Sequence, residues 1–317
     1  MEIKQLRRFL AVVETGSLTA AAPTVGLTQQ ALGASISNLE KELGVTLLDR
    51  GPGGVTTPTS YGMMLVAHAK SILSSENRAR EELHAFRDAR GGSVRIGIGE
   101  AFAPEIIAEA VCDFHRARPD VTITLIEGYT EALLPRLEDG DLDFIAGSDV
   151  GGPQNGLLKF PIYSCHDVFI ARAQHPLAQK RDLRLKDLQK FTWMAPKSRP
   201  ADAALINDAF ARAGLAGPAR FIWTDAPMVG THLLMMDDIV FMTSPAMVIG
   251  RLMSRDNAIV MLDIHEPRVE RRAALIYPDR TRLNPSAMLL MDAVRTAAHH
   301  QIGELSYATP LNVEQPF

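Results

Sequence analysis

The stretch that decides the fold of this chain is residues 27–50, which read LTQQALGASISNLEKELGVTLLDR. Thr28 stands where an N-cap belongs and Gly44 follows the last turn, so the pattern predicts a helix from residue 29 to Leu43. Apolar residues at helical spacing predict one buried stripe, made of Leu32, Ile36, Leu39 and Leu43. The opposite face carries only small and amide side chains, namely Gln29, Gln30, Gly33, Ala34 and Ser37.

Two shorter helices are predicted before this segment. The first has its apolar residues at helical spacing and ends at Gly16; these residues are Ile3, Leu6, Phe9, Leu10 and Val13. Ser17 is the expected N-cap of the second helix, which covers residues 18–25 and contains Pro23. Two interpretations follow. The three helices form a packing module with a solvated polar ridge, or they form a helix-turn-helix whose Gln29 pairs with adenine in the major groove.

A β-hairpin is predicted directly after the third helix. Residues 45–59 place two β-prone pieces on either side of a Gly-Pro-Gly-Gly turn at residues 51–54. A hairpin in this position is a wing, and Arg50 and Thr59 are predicted to contact DNA phosphates, which position a protein without reading sequence. Residues 1–58 are therefore predicted to be a winged helix-turn-helix domain.

A long helix is predicted over residues 59–90, and Gly91-Gly92 after it is a predicted hinge. Its apolar seam resembles that of a coiled coil and consists of Tyr61, Leu65, His68, Ile72, Ser75, Ala79, Leu83 and Phe86. Such a helix either packs against its own domain or pairs with a second copy. Dimerisation is favoured, because reading a two-fold DNA site needs two domains.

Residues 91–317 alternate strands and helices, which predicts α/β architecture with parallel sheets. The first strands begin at Val94, Val121 and Leu142, and the pattern restarts after about residue 165. Two lobes are expected, one of residues 93–165 with 269–300 and one of residues 166–268. Two α/β lobes joined by two crossings resemble a periplasmic binding protein.

Ligands of open α/β sheets bind beyond the carboxyl ends of the strands. Hydroxyl groups and the guanidinium of Arg199 in these loops predict a small carboxylate as ligand. If Glu100 or Asp149 faces the cleft, a ligand with hydroxyls or a positive group is the alternative. The predicted ligand-binding residues are Ala101, Phe102, Ala103, Gly128, Tyr129, Thr130, Ser148, Lys197, Ser198, Arg199, Thr224, Thr243 and Ser244.

Residues 6–22, which read LRRFLAVVETGSLTAAA, and residues 27–50 together resemble LysR-type transcription regulators, as do DGDLDF at 139–144 and HPL at 175–177. The resemblance implies a regulator that senses a small-molecule effector in the cleft and alters promoter DNA binding or bending. Implied partners are double-stranded promoter DNA, the effector and further copies of the chain in a homodimer or homotetramer, with RNA polymerase a candidate. Gln30 replaces a usual proline, and Gly33 and Ala34 replace a frequent Ser-Arg pair, so Gln29 is the leading candidate for base contact, ahead of Gln30 and Ala34. The predicted DNA-binding residues are Thr28, Gln29, Gln30, Gly33, Ala34, Ser37, Arg50 and Thr59.

Composition is ordinary for a globular protein of 317 residues, with 46% apolar and 22% charged residues. Net charge is −4, so charge by itself does not indicate a nucleic-acid partner. Glu14 interrupts the apolar run at residues 9–13, which excludes a signal-peptide core, and no run reaches the ~20 residues of a membrane span. A cytoplasmic location is expected.

Sequence motifs of enzymes are absent. There is no Gly-x-Ser-x-Gly, no His-Glu-x-x-His and no glycine-rich phosphate loop, so no catalytic residue or cofactor is predicted. Cys112 and Cys165 have no metal-ligand spacing, and no metal site is predicted. Three alternative classes stay open: an enzyme, a solute-binding protein, and a thiol sensor in which His166 lowers the pKa of Cys165.

Overall fold

The computed structural model describes residues 1–51, 54–87, 92–150, 156–247, 258–264, 266–278 and 283–311. The chain divides into two units, one of residues 1–89 with 138–141 and one of residues 90–137 with 142–317. Part of the predicted wing turn, Pro52 and Gly53, and the first hinge glycine, Gly91, lie outside the described residues, as does the side chain of Phe86. Across the described ranges, no helix is both long and apolar enough to cross a membrane.

The first unit contains three short helices, a hairpin and a long helix. These are α1 (Ile3–Thr15), α2 (Leu18–Thr24), α3 (Gln29–Leu43), β1 (Leu48–Arg50), β2 (Thr56–Pro58) and α4 (Ser60–Arg87). Strand β1 pairs antiparallel with β2, as predicted for a wing. One core joins all of these helices, and its fully buried members include Phe9, Val12, Leu32, Ile36 and Leu39.

Helix ends in this unit follow the predicted caps with one exception. The hydroxyl of Thr28 accepts a hydrogen bond from the Ala31 N–H at 3.2 Å. Gly16 and Gly44 end α1 and α3 with φ of 66° and 70°, a left-handed conformation that favours glycine. Ser17 has extended backbone at the N-cap position, but its side chain makes no capping bond.

The predicted apolar stripes are shorter than expected at their ends. Leu43 is exposed, because it is the last residue of α3, where the chain turns away from the core. Ile3 is exposed at the opposite end, as the first residue of α1. Pro23 is the second-last residue of α2, so the backbone hydrogen bond that proline removes is lost only in the final turn.

The predicted apolar seam of α4 is partly packed in the core of its own unit and partly exposed. Leu65 and Ile72 pack against the core of their own unit, which is the alternative that the sequence left open. Tyr61 and Leu83 are 57% and 70% exposed. Part of the predicted seam on α4 is therefore exposed, and part of it is covered by its own unit.

The second unit contains two sheets with helices on both faces. The six-stranded sheet has the order β13-β6-β12-β5-β3-β4. Its elements are β3 (Ser93–Ile98), α5 (Pro104–Ala117), β4 (Thr122–Glu127), α6 (Thr130–Glu138), β5 (Phe144–Ser148), β6 (Leu157–His166), β12 (Glu270–Pro278), α10 (Pro285–Gln301) and β13 (Thr309–Pro310).

The five-stranded sheet has the order β11-β7-β10-β8-β9. Its elements are β7 (Val168–Arg172), α7 (Leu185–Leu188), β8 (Thr192–Ala195), α8 (Pro200–Arg212), β9 (Phe221–Trp223), α9 (Pro227–Met236), β10 (Ile239–Thr243) and β11 (Ile259–Met261). We call the part of the second unit around the six-stranded sheet lobe I and the part around the five-stranded sheet lobe II.

The predicted parallel pairing is found between β3 and its neighbours β4 and β5, and between β8 and its neighbours β9 and β10. Both sheets also contain antiparallel strands. Strand β12 runs antiparallel to β5 and β6, and β7 runs antiparallel to β10 and β11. Strand β6 was not predicted. Its pairing with β12 is irregular opposite Ala273 and Ala274, next to Pro161. Proline in a sheet is confined to such irregular or edge positions, which obscured this strand in the sequence.

The two lobes are joined by two chain crossings that lie side by side. One is Asp167, between β6 and β7, and the other is the segment between β11 and β12. The Asp167 N–H donates to the carbonyl of Val269 at 2.9 Å, and Cys165 is paired with Arg271 across the sheet. These bonds place the start of β12 directly beside the cleft between the lobes.

Candidate functional site

The N-terminal turns of α3 form the candidate nucleic-acid interface. The predicted base-contacting residues Gln29, Gln30 and Ala34 are exposed, while Gly33 and Ser37 are half-buried. Buried Ser35 on the inner side accepts a hydrogen bond from Arg8 of α1 at 2.9 Å. The packed inner face fixes the helix, so the outer face presents its small and amide side chains to solvent, and an α-helix of this kind can enter a major groove.

The wing is held to α3 by a glutamate that sequence reasoning missed. Glu40 accepts hydrogen bonds from the backbone N–H groups of Leu47 and Leu48 at 2.8 and 3.2 Å. Arg50, at the end of β1, is exposed and available to a phosphate. The hydroxyl of Thr59 instead donates to the carbonyl of Thr46 and accepts from the Gly62 N–H, so its phosphate contact stays a prediction.

In the second unit, polar side chains from three neighbouring strand ends of lobe I converge on Glu100. This carboxylate, which follows β3, is buried. It accepts hydrogen bonds from the N–H and hydroxyl of Thr130 at 3.1 and 3.3 Å, and from the hydroxyl of Ser148. Thr130 follows β4 and Ser148 ends β5, so the predicted gathering at carboxyl ends occurs in this lobe.

Arg199 of lobe II completes this arrangement. It precedes α8 and is buried, and its guanidinium donates to Glu100 across the cleft. Its Nε lies 3.0 Å from Glu131 Oε1 of lobe I, and its Nη2 lies 3.2 Å from Asp202 Oδ1 one turn along α8. The two lobes are therefore joined by the ion pairs of Arg199 with Glu100 and Glu131, although the Arg199 Nε–H is not in hydrogen-bond geometry with any described group.

A second guanidinium lies beside the first. Arg271, at the start of β12, donates from Nε to Asp167 Oδ1 at 2.7 Å and from Nη2 to Asp167 Oδ2. Its Nη1 is 3.7 Å from Glu100 and its Nη2 is 3.9 Å from Asp202. The bidentate pair connects the two chain crossings, since Asp167 belongs to one and Arg271 follows the other. We call Glu100, Glu131, Asp167, Asp202, Arg199 and Arg271 the charge cluster.

The charge cluster contains four carboxyl groups for two guanidinium groups. Burial, followed by the negative charges of Asp167, Glu100 and Glu131, raises the pKa of Asp202 to about 8. Burial, with a smaller contribution from the charge of Glu100, raises the pKa of Glu131 to about 7. Because these groups share two cations, the retained protons belong to the cluster as a whole. With two of the four carboxyls protonated, the cluster is neutral.

A cavity of about 450 Å³ opens beside Glu100. Its walls are mainly apolar and come from both lobes, with Glu105 and Glu127 as further acidic residues. Among the described residues that line it, none is lysine or arginine. The apolar lining includes Ile98, Phe102, Leu125, Tyr129, Pro227 and Met247. This volume is in the range of small-molecule sites.

The remaining predicted ligand residues have mixed positions. Phe102, Gly128 and Tyr129 line the cavity, whereas Ala101 and Ala103 are buried in the core of lobe I. A smaller crevice of lobe II contains Thr224 and Thr243.

Three further predicted ligand residues, and Asp149, have no hydrogen bond or ion pair with Glu100 within the described part of the chain. Ser198 donates to Asp225 at 2.9 Å, and Ser244 contacts the thiol of Cys165 at 3.7 Å. Lys197 is exposed, and it lines neither this cavity nor the crevice. Asp149 pairs with Lys159 at 3.0 Å. Of the cations that were predicted to bind a ligand, only Arg199 is in the charge cluster.

Four members of the charge cluster were not predicted as site residues from the sequence, namely Glu131, Asp167, Asp202 and Arg271. Asp202 had a visible signal, since it follows Arg199 by three residues on a helix and so shares its face. Asp167 and Arg271 had none, because only the pairing of β6 with β12 brings them together.

Cys165 does not have the properties of a reactive thiol. It is buried, and burial raises its pKa to about 11, opposite to the lowered pKa that a thiolate sensor needs. His166 is the next residue of β6 and is exposed. Because successive side chains of a strand point to opposite faces, the His166 ring and the Cys165 thiol lie on different faces of the sheet.

Comparison with known proteins gives matches in both units. The family described as "LysR substrate binding domain" matches residues 87–299, and "Bacterial regulatory helix-turn-helix protein, lysR family" matches residues 3–63. The HTH-type transcriptional regulator GbpR of Azospirillum brasilense is 27% identical over 301 residues, which cover 94% of this chain and 87% of GbpR.

Solved structures share the fold. The crystal structure of CbnR, a LysR family transcriptional regulator, superposes with a TM-score of 0.64 at 22% identity over 94% of this chain and 99% of CbnR. Full-length CbnR in complex with its target DNA gives a TM-score of 0.62 at 21% identity, over 94% of this chain and 100% of that one. With both of its sequence domains matched, the chain belongs to the LysR family of DNA-binding transcription regulators, which are not enzymes.

Proposed function

We propose that this regulator binds promoter DNA in the cytoplasm through α3 and the wing, and that a small-molecule effector in the cleft of the second unit changes that binding. The observation that carries the proposal is the cavity of about 450 Å³, whose walls come from both lobes. The cavity lies beside the ion pairs that join the two lobes. A ligand there contacts both lobes at once, so its binding energy depends on their arrangement.

The mechanism we propose is lobe closure about the two chain crossings at Asp167 and before Arg271. Closure would change how copies of the chain are arranged and hence the bend or spacing of the bound DNA. A coupling free energy of about 1–3 kcal/mol is typical of such switches. Contact with RNA polymerase is a further proposed consequence at a promoter.

We propose a homodimer or homotetramer as the DNA-binding form. The exposed part of the α4 seam, with Tyr61 and Leu83, supports pairing of this helix with another copy. Two winged domains would then meet the two halves of a pseudo-palindromic site.

The surroundings of Glu100 bear on the chemical class of the effector. A small carboxylate stays a prediction, and its predicted anchors Thr130, Ser148 and Arg199 all hold Glu100. A carboxylate effector would therefore have to displace Glu100 from them. The alternative that the sequence left open, an effector with hydroxyls or a positive group, has no such requirement.

A gel-shift experiment with purified full-length protein and its own upstream DNA tests the proposed function. Specific binding should survive unrelated competitor DNA over a salt series, and its apparent affinity or footprint should change when an effector is added. Binding that competitor DNA removes completely would contradict the assignment of this promoter. A footprint that stays identical with a saturating effector would contradict the proposed coupling.

Replacing Gln29 with alanine should weaken specific DNA binding by about 1–3 kcal/mol, because a bidentate contact to a base is lost. Asn38→Ala is the matched control, since Asn38 is exposed on the same helix but lies about half a turn away around its axis. Titrations of both variants against operator and random DNA give the comparison. Equal losses on both DNAs would show that Gln29 contacts the backbone and not a base.

A further inference from the structure

We infer that Glu100 is a built-in carboxylate that fills the anion site of the cleft, so that the effector is an apolar molecule without an acidic group, bound in the cavity beside Glu100. The inference rests on the proposed role of the cleft as the effector site, and it specifies the chemical class of the effector.

The donors around Glu100 are those that a ligand carboxylate would use. One backbone N–H, two hydroxyls and a guanidinium, supplied by Thr130, Ser148 and Arg199, point at one carboxylate. A carboxylate has about four acceptor positions, so Glu100 uses this set of donors fully. Glu100 itself is buried, which makes it a constituent of the site.

Both guanidinium groups already face acidic side chains of the protein. Arg199 faces Glu131 and Asp202 with its other nitrogens, and the Arg271 guanidinium holds both oxygens of Asp167. A ligand carboxylate entering here would add a fifth acidic group to a cluster with two cations. Burial of an unpaired charge is strongly unfavourable, so an anion is excluded unless an internal carboxylate leaves.

The space that remains favours the opposite chemistry. The cavity beside Glu100 has mainly apolar walls and acidic residues at Glu100, Glu105 and Glu127. An apolar molecule gains free energy by covering exposed apolar wall side chains such as Leu125. An amine or hydroxyl group on that molecule finds carboxylate acceptors at Glu105 and Glu127, whereas an acid finds no counter-charge among the lining residues described.

Glu100→Ala tests this inference by emptying the anion site. Formate is the probe, since it replaces the deleted carboxylate, and thermal unfolding of the full-length protein is the readout. At 100 mM formate, a dissociation constant of about 10 mM would favour the folded variant about tenfold relative to sodium chloride of equal ionic strength. Wild type should show no such response. Benzoate, whose ring fits the adjoining cavity, should follow the same pattern.

Two variants control for the result. Glu100→Gln keeps the side-chain volume and should leave no room for formate, so it should not respond. Glu105→Ala removes an exposed glutamate of the cavity wall and creates no vacancy lined by donors, so it should respond as wild type does. If Glu100→Ala does not fold in chloride, a higher refolding yield in formate than in chloride is the same evidence.

The inference is overturned if formate or benzoate stabilises wild type as much as Glu100→Ala. It is also overturned if neither formate nor benzoate raises the thermal stability or the refolding yield of Glu100→Ala. The readout contains no DNA, so failure of the proposed promoter binding leaves this test unaffected, and a negative formate result leaves promoter binding unaffected.

Discussion

Replacing Arg271 with methionine is expected to lower the free energy of unfolding of the second unit by about 3–5 kcal/mol, because it leaves the buried Asp167 carboxylate without its partner. Urea unfolding followed by circular dichroism measures this loss. The loss should be larger at pH 8 than at pH 6, since protonation of the remaining carboxyls relieves part of it.

The neighbouring residue provides a control. Arg272→Met changes the same side-chain type one position along β12, but Arg272 is exposed and pairs with exposed Glu270 at 3.6 Å. An exposed pair of this kind contributes about 0–1 kcal/mol. Asp167→Leu combined with Arg271→Met should recover much of the loss, because both charges are then absent. Equal effects of Arg271→Met and Arg272→Met would contradict the role given to the buried pair.

The stability of the second unit should fall as the pH rises from about 5 to 8. In the unfolded chain Asp and Glu have pKa values of about 3.9 and 4.3, and in the folded chain the pKa of Asp202 is about 8 and that of Glu131 is about 7. A carboxyl whose pKa is raised by folding stabilises the folded state at low pH, and this stabilisation is lost as the pH rises through the folded pKa. Each retained proton corresponds to about 1.4 kcal/mol per pH unit between the two pKa values.

The variant Asp202→Asn isolates the contribution of the Asp202 carboxyl to the pH dependence of stability. The amide cannot ionise, so the variant should lose stability less steeply with pH and should exceed wild type above pH 8. Unfolding in urea at half-unit steps from pH 5 to 9 measures both slopes, with Asp208→Asn, another aspartate on the same helix, as the control. Parallel curves for wild type and Asp202→Asn would show that the cluster retains no proton at Asp202.

Local chemistry made much of the fold predictable. The stripe of Leu32, Ile36 and Leu39, with Thr28 and Gly44 at the ends, specifies α3 because spacing and caps act within a few residues. The gathering of Thr130 and Ser148 at strand ends followed from the general rule for α/β sheets. Strand β6 was missed, since its pattern contains Pro161 and is completed only by pairing with the distant β12.

The sequence by itself determined the helices of the first unit, the candidate recognition helix α3 among them, and the loops that border the cleft, because each rests on short-range periodicity and turn chemistry. The family followed from the resemblance of residues 6–22 and 27–50 to LysR-type regulators. Tertiary structure alone decided that Arg199 binds the protein's own Glu100 and that Arg271 meets Asp167 across 104 residues of chain. The physical reason is that ion pairing depends on distance and burial, and residues far apart in sequence acquire both only when the sheets assemble.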